Sequence, residues 1–143
     1  MLNYILDNAR LEDIEILKDF KLHSIFDYAI NLSKDEITDI NNYVNSNIIK
    51  QIDDYKLIKI NTNIIGCLYT KKYDDGILID EIYLIKDYRN KGIGTDIIKN
   101  ILHKNNSVYL WVYKNNYSAI TLYKKLKFRV LQETETRYYM GKI

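Results

Sequence analysis

The run Arg89-Asn90-Lys91-Gly92-Ile93-Gly94-Thr95 follows an apolar, strand-like segment and opens a helix-like one. A turn of this kind presents main-chain amides that the coming helix leaves without intrahelical partners. The helix dipole adds partial positive charge at the same place. Gly92 and Gly94 let an anion approach the backbone with no Cβ in the way. Arg89 and Lys91 add formal charge, and Thr95 adds a hydroxyl. The chemistry suggested is diphosphate binding. A dinucleotide fingerprint would need a third glycine where Ile97 stands and an acid about 20 residues on, where Tyr113-Lys114 stand. The G-x-x-x-x-G-K-[ST] loop of nucleotide hydrolases is absent. A glycine loop that merely enters a helix is the alternative these residues leave open.

A second stretch places Asn116, Ala119, Tyr123 and Phe128 at fixed offsets. Asn116 stands where a helix N-cap is wanted, and capping explains it fully. Ala119, Leu122, Tyr123 and Leu126 share one helical face, so core packing accounts for Tyr123 on position alone. Glu81 lies in a strand-like run over residues 77–85. Strict alternation puts it on a face with Tyr83 and Ile85, with Asp80 facing the other way. For a carboxylate there, a solvated edge strand is the plain explanation.

These residues need elements to hold them. Leu2, Tyr4 and Leu6 alternate with polar neighbours as in a half-buried strand, and helical spacing runs from Leu11 to about Ile30. Ser33-Lys34-Asp35-Glu36 is a capping box opening a second helix through Ile37, Ile40, Val44 and Ile48. Strands are expected over 55–60 and 64–73, joined by Asn61-Thr62-Asn63, and over 77–85 after the turn signal Asp74-Asp75-Gly76. A helix over 92–104, a strand over 107–113, a helix over 116–126 and strands over 128–133 and 136–142 complete the chain. The order is βααβββαβαββ. The strand–helix–strand segment from 77 to 113 needs a crossover and implies parallel neighbours, while the rest reads as antiparallel meander.

With Arg89, Gly92 and Gly94 in an R/Q-x-x-G-x-G/A pattern after a strand, the sequence resembles the GNAT superfamily of N-acetyltransferases. Asn116, Ala119 and Tyr123 match that family's second motif, and Leu122-Tyr123-Lys124-Lys125-Leu126-Lys127-Phe128 resembles its tyrosine-helix end. Many relatives have Gly where this chain has Lys127, and Pro where it has Lys86. The resemblance covers the whole chain. It implies an α/β fold of three layers: a central, mostly antiparallel sheet splayed between two parallel strands, with helices on both faces. It also implies acetyl-CoA as co-substrate. The main chain of Ile82, Tyr83 and Leu84 would pair with the pantetheine arm. Arg89, Asn90, Lys91, Gly92, Ile93, Gly94 and Thr95 would hold the pyrophosphate, and Asn116 would touch the pantetheine. Glu81 becomes the candidate base, directly or through water, and Tyr123 the donor to the leaving thiolate. The implied activity is direct N-acetyl transfer to a primary amine. A non-catalytic acyl-CoA-binding sensor or scaffold is the competing function.

At 143 residues the expectation is a single domain over 1–143. The net charge of +2 hides an asymmetry. Residues 1–55 hold five Lys/Arg and eleven Asp/Glu, whereas residues 56–143 hold sixteen and eight. A basic half suits a polyanionic ligand, and an acidic half suits a cationic acceptor, whether small molecule or protein. No dense basic run points to nucleic acid. Cys67 is the one cysteine and reads as a small buried thiol. His23 and His103 lie far apart, with no ligand spacing around them, so no metal site is expected. Trp111 alternates with Leu110 and Val112 and reads as core or pocket wall. Without a leader or an apolar run of about 18 residues, a cytoplasmic location and no membrane partner are expected. Oligomeric state stays open, with a homodimer one expectation.

Overall fold

The computed structural model describes residues 3–143. Its elements run β1 (Ile5–Asn8), α1 (Ile14–Phe26), α2 (Lys34–Gln51), β2 (Tyr55–Ile60), β3 (Asn63–Tyr73), β4 (Gly76–Leu84), α3 (Ile93–Lys104), β5 (Val108–Tyr113), α4 (Tyr117–Lys125), β6 (Arg129–Glu133) and β7 (Arg137–Lys142). This is the βααβββαβαββ order read from the sequence. Hydrogen-bonded neighbours in the seven-stranded sheet follow the order β1-β2-β3-β4-β5-β7-β6. The pairs β1–β2, β2–β3, β5–β7 and β6–β7 are antiparallel, and β4–β5 is parallel. Parallel neighbours cannot be joined by a tight turn, and α3 supplies the crossover. Among the described residues no helix is long and apolar enough to cross a membrane.

Local chemistry sets the boundaries. The capping box forms: Glu36 N donates to Ser33 Oγ at 3.1 Å, and Ser33 N donates to Glu36 Oε1 at 3.1 Å. Asp74 takes a left-handed φ of 53° in the turn between β3 and β4. Two expectations change. The helix read over 11–30 begins as a 3-10 turn at Leu11–Asp13 and ends at Phe26. Its outermost apolar residues, Leu11 and Ile30, are exposed, so no burial holds those ends in the helix. The first strand is shorter than read and begins at Ile5; Leu2 lies outside the described residues. Ile5 and Leu6 are both exposed, so β1 buries neither face.

The chain forms two compact units. One comprises Asn3–Tyr69 and Glu81–Ile85. Its core joins Leu17 and Phe20 of α1, Val44 and Ile48 of α2, Ile52 of the 3-10 turn that follows it, Tyr55 and Leu57 of β2, and Cys67 and Tyr69 of β3. Tyr83 and Ile85 pack against that cluster. Each fully buried aliphatic side chain contributes about 1.5–3 kcal/mol. The other unit comprises Thr70–Asp80 and Lys86–Ile143. It buries Ile93, Ile97 and Ile98 of α3, Val108, Leu110 and Val112 of β5, Phe128, and Met140 of β7.

Gly66 of β3 is fixed by the strand beside it. A Cβ at this position would stand 1.9 Å from the carbonyl oxygen of Tyr83, closer than any real contact. Gly66→Ala must therefore push β4 away from β3. The expected loss is roughly 1–3 kcal/mol of stability, read as a lower urea midpoint. An unchanged midpoint would show that the close approach is not needed.

Candidate active site

After Leu84 the chain makes a 3-10 turn, Lys86–Tyr88, and reaches the head of α3 through Arg89–Gly92. Gly92 is the N-cap of α3, with a left-handed φ of 88° and no side-chain cap bond. Asn90 is also left-handed, at φ 61°. Such alternation turns successive amides toward one concavity. The contrast with the neighbouring helices is informative. Ser33 caps α2, and Asn116 caps α4 by accepting from Ala119 N at 3.3 Å. At α3 the N-cap glycine offers no side-chain acceptor to the first-turn amides. Asn90, Lys91 and Gly92 are exposed, while Arg89, Gly94 and Thr95 are half-buried and Ile93 is buried. Asp96 adds a carboxylate to the same first turn, which the reading of the glycine pattern left out.

The strand that leads to this turn is paired with β5 over three residues: Ile77 with Val108, Leu78 with Tyr109 and Ile79 with Leu110. At the start of that register a Cβ on Gly76 would lie 1.9 Å from Ser107 O. Asp75 fastens the same point, accepting from Ser107 Oγ at 3.3 Å and from Tyr109 Oη at 3.2 Å. Asp75 was read only as a turn residue, because its partners lie 32 and 34 residues away. Farther along β4, Ile82, Tyr83 and Leu84 are half-buried, and Ile85 N donates to Ile65 O of β3 at 2.8 Å.

Glu81 is not a solvated carboxylate. It is buried in its own unit. Its Oε1 accepts from Tyr55 Oη at 2.6 Å, and its Oε2 accepts from Cys67 Sγ at 3.3 Å. Lys21 Nζ of α1 stands 3.8 Å away as counter-charge. The shared face read for Glu81, Tyr83 and Ile85 is observed, since Tyr83 and Ile85 pack on the cluster that contains Tyr55 and Cys67. Asp80 pairs with Lys71 of β3 at 3.0 Å. Burial pushes the Cys67 thiol well above its ordinary range, the Glu81 charge and hydrogen bond add to this, and Lys21 opposes it. Cys67 is thus the buried thiol expected. His23 of α1 stacks on Tyr83 at 6.4 Å, with Asp19 and Asp27 carboxylates 3.8 and 3.9 Å from its ring nitrogens.

Tyr123 is buried on α4, two turns beyond Asn116. A Schellman arrangement ends the helix: Phe128 N donates to Tyr123 O and Lys127 N donates to Lys124 O, both at 3.0 Å. The accompanying apolar contact is Tyr123 on Phe128, with ring centroids 5.6 Å apart. Phe128 was therefore a structural signal: its spacing from Tyr123 is the spacing of this cap. Tyr123 and Glu81 belong to different units, and each is fixed by its own neighbours. Trp111, read as core or pocket wall, is 40% exposed.

Residues 17–128 match the model of the acetyltransferase (GNAT) family. The chain belongs to the GNAT family. No curated protein matches its sequence. Solved structures share the GNAT fold. The PaiA N-acetyltransferase of Thermoplasma acidophilum, in complex with coenzyme A, is similar over 99% of each chain, with TM-score 0.78 and 20% identity. The apo form of YjaB from Escherichia coli is similar over 99% of each chain, with TM-score 0.77 and 17% identity. Naa50 of Arabidopsis thaliana, bound to the bisubstrate analogue CoA-Ac-MVNAL, also aligns over 99% of each chain, with TM-score 0.66 and 22% identity.

One residue of this GNAT chain carries visible backbone strain beside the site. Lys127 holds the left-handed position of the Schellman cap at φ 73°, where glycine is usual. A left-handed L-residue costs about 1–2 kcal/mol, and glycine's extra freedom when unfolded returns about 0.5–1 of that. Lys127→Gly is expected to raise stability by up to about 1 kcal/mol, with the slope of the urea transition unchanged. A lower midpoint would contradict this reading of the cap.

Proposed function

We propose that this chain moves an acetyl group from acetyl-CoA directly to a primary amine of a cationic acceptor, a small molecule or a protein. The observation that carries the proposal is the head of α3: a left-handed glycine N-cap with no side-chain cap, reached from β4 through one 3-10 turn and preceded by Arg89 and Lys91. In this reading Arg89, Asn90, Lys91, Gly92, Ile93, Gly94 and Thr95 bind the pyrophosphate. The main chain of Ile82, Tyr83 and Leu84 pairs with the pantetheine arm. Asn116, whose carbonyl oxygen caps α4, offers its amide nitrogen to the same arm. The acidic balance of residues 1–55 supports a cationic acceptor.

The reaction joins the amine nitrogen to the acetyl carbon and breaks the carbon–sulfur bond. The nitrogen loses a proton and the sulfur gains one. An alkyl amine near pKa 10.4 is almost wholly protonated at neutral pH, so a proton acceptor is needed. Glu81 is the proposed base. Each of its oxygens already accepts one hydrogen bond, from Tyr55 and from Cys67, and the proposed route runs through a water at a remaining lone pair. Tyr123 is the proposed donor to the departing sulfur. Full transfer from a phenol near pKa 10 to a thiolate near 8.5 is uphill by about 2 kcal/mol, and a hydrogen bond alone lowers the cost of the developing charge. The hydrogen bonds that Glu81 already accepts favour the second reading, a chain that binds acyl-CoA without turnover. Release of free thiol from acetyl-CoA with a panel of polyamines, aminoglycosides and peptides separates the two, since a non-catalytic binder releases none with any amine.

Two substitutions divide the roles. Tyr123→Phe removes only the hydroxyl, and turnover is expected to fall roughly tenfold to a thousandfold with acetyl-CoA affinity unchanged. Equal turnover would return Tyr123 to packing. Glu81→Gln is expected to move the rate–pH profile of a basic amine to higher pH, because the ammonium loses its acceptor. If the profile stays in place while stability alone drops, Glu81 is structural.

A further inference from the structure

Tyr55 opens β2 and is fully buried. In the antiparallel register it stands opposite Tyr69, with Leu57 opposite Cys67, so these four side chains share one face of the sheet. The Tyr55 ring stacks on Tyr69, with centroids 4.6 Å apart and planes 16° from parallel. Ala9 N donates to Tyr55 O at 3.1 Å and ties its main chain as well. Packed in this way, the ring presents its hydroxyl at a fixed point. That hydroxyl donates to Glu81 Oε1 at 2.6 Å. The distance lies in the range of about 2.5–2.7 Å that O–H donors reach when the acceptor is an ionised carboxylate.

The groups that face this carboxylate come from three other elements. Lys21 Nζ of α1 stands 3.8 Å from Oε1, Tyr55 belongs to β2, and Cys67 Sγ of β3 donates to Oε2 at 3.3 Å. On β4 itself Tyr83 and Ile85 pack against the same cluster, and His23 of α1 stacks on Tyr83. Val44 and Ile48, the buried residues of α2, add only apolar surface. Asp80 pairs with Lys71. Burial opposes the charged form of Glu81, whereas donors and a counter-charge favour it. The donors are unequal. A thiol donates weakly, and the Lys21 ammonium is a point charge on a flexible stem. Tyr55 makes the short bond, and makes it from a ring locked in the core. A phenylalanine would fill the same space, so what the hydroxyl adds acts on the carboxylate.

We propose that Tyr55 is a positioning residue for acetyl transfer: its hydroxyl fixes the orientation of Glu81 and keeps it ionised to receive the proton of the amine. This rests on Glu81 being the base. The ammonium gives a proton to the intervening water and the water gives one to a Glu81 oxygen, while Tyr55 keeps its own proton throughout. Tyr55 therefore acts through Glu81 and needs no contact with the reacting atoms.

Two measurements on Tyr55→Phe, which keeps the ring and its stack on Tyr69, test this. One is a carbon-13 pH titration of the Glu81 carboxyl in the full chain, its signal assigned by loss in Glu81→Gln. Removing the donor should raise the midpoint by about one to two pH units. The other is the rate–pH profile of acetyl transfer to a basic amine. Its acidic limb should move up by the same amount, with acetyl-CoA affinity unchanged. Cys67→Ala, which removes a weaker donor, should move both by less. An unmoved midpoint overturns the proposal, as does a midpoint that moves while the limb stays, or a larger shift in Cys67→Ala. Profiles that overlap in the native chain and Glu81→Gln, or a native chain with no turnover, overturn the role of Glu81 as base and that of Tyr55 with it. A profile moved by Glu81→Gln and not by Tyr55→Phe overturns the role of Tyr55 alone.

Discussion

A helix start must satisfy its first amides with something, and the N-cap of α3, Gly92, brings no side chain for the task. Gly92 takes a left-handed conformation that costs other residues energy, and in doing so leaves the first turn open. Much of the architecture serves that position. The parallel pairing of β4 with β5 demands a crossover, the crossover is α3, and its head follows the end of β4 after one short turn. Asp75, Ser107 and Tyr109 fasten the start of the parallel register. Gly66 lets β3 lie close enough to hold β4 at Tyr83. The same strand therefore carries both the main chain proposed for the pantetheine and the turn proposed for the pyrophosphate.

The buried carboxylate of Glu81 creates a second constraint. An unpaired charge there would cost several kcal/mol, and Lys21, Tyr55 and Cys67 together offset it. This ties α1, β2, β3 and β4 to one point. It also shapes the chemistry, because a carboxylate held by a hydrogen bond at each oxygen keeps its orientation and meets a further donor only through its remaining lone pairs. Structural tie and proton acceptor compete for the same two oxygens.

The sequence made the order of elements legible because its periods are clean. Ser33 and Glu36 declare a helix start, Asp74-Asp75-Gly76 declares a turn, and Gly92 and Gly94 declare an uncapped helix head. Each signal is local, acting over two to four residues. What stayed hidden depends on distant partners. Glu81 resembled an edge carboxylate because Tyr55 and Lys21 are 26 and 60 residues away in the chain. Trp111 resembled core because its strand neighbours are apolar, yet its own side chain is 40% exposed. The spacing of Phe128 from Tyr123 was visible, but its reason lies in a cap that needs three-dimensional geometry.

The most direct test of this account is calorimetric titration of the native chain and of Gly92→Val with acetyl-CoA. The native protein is predicted to bind one equivalent. The variant, forced out of the left-handed conformation and carrying a branched side chain at the head of α3, is predicted to bind at least a hundredfold more weakly, about 2.7 kcal/mol. Absence of binding by the native chain, or equal affinity in the two, would contradict the assignment of that helix head to the pyrophosphate.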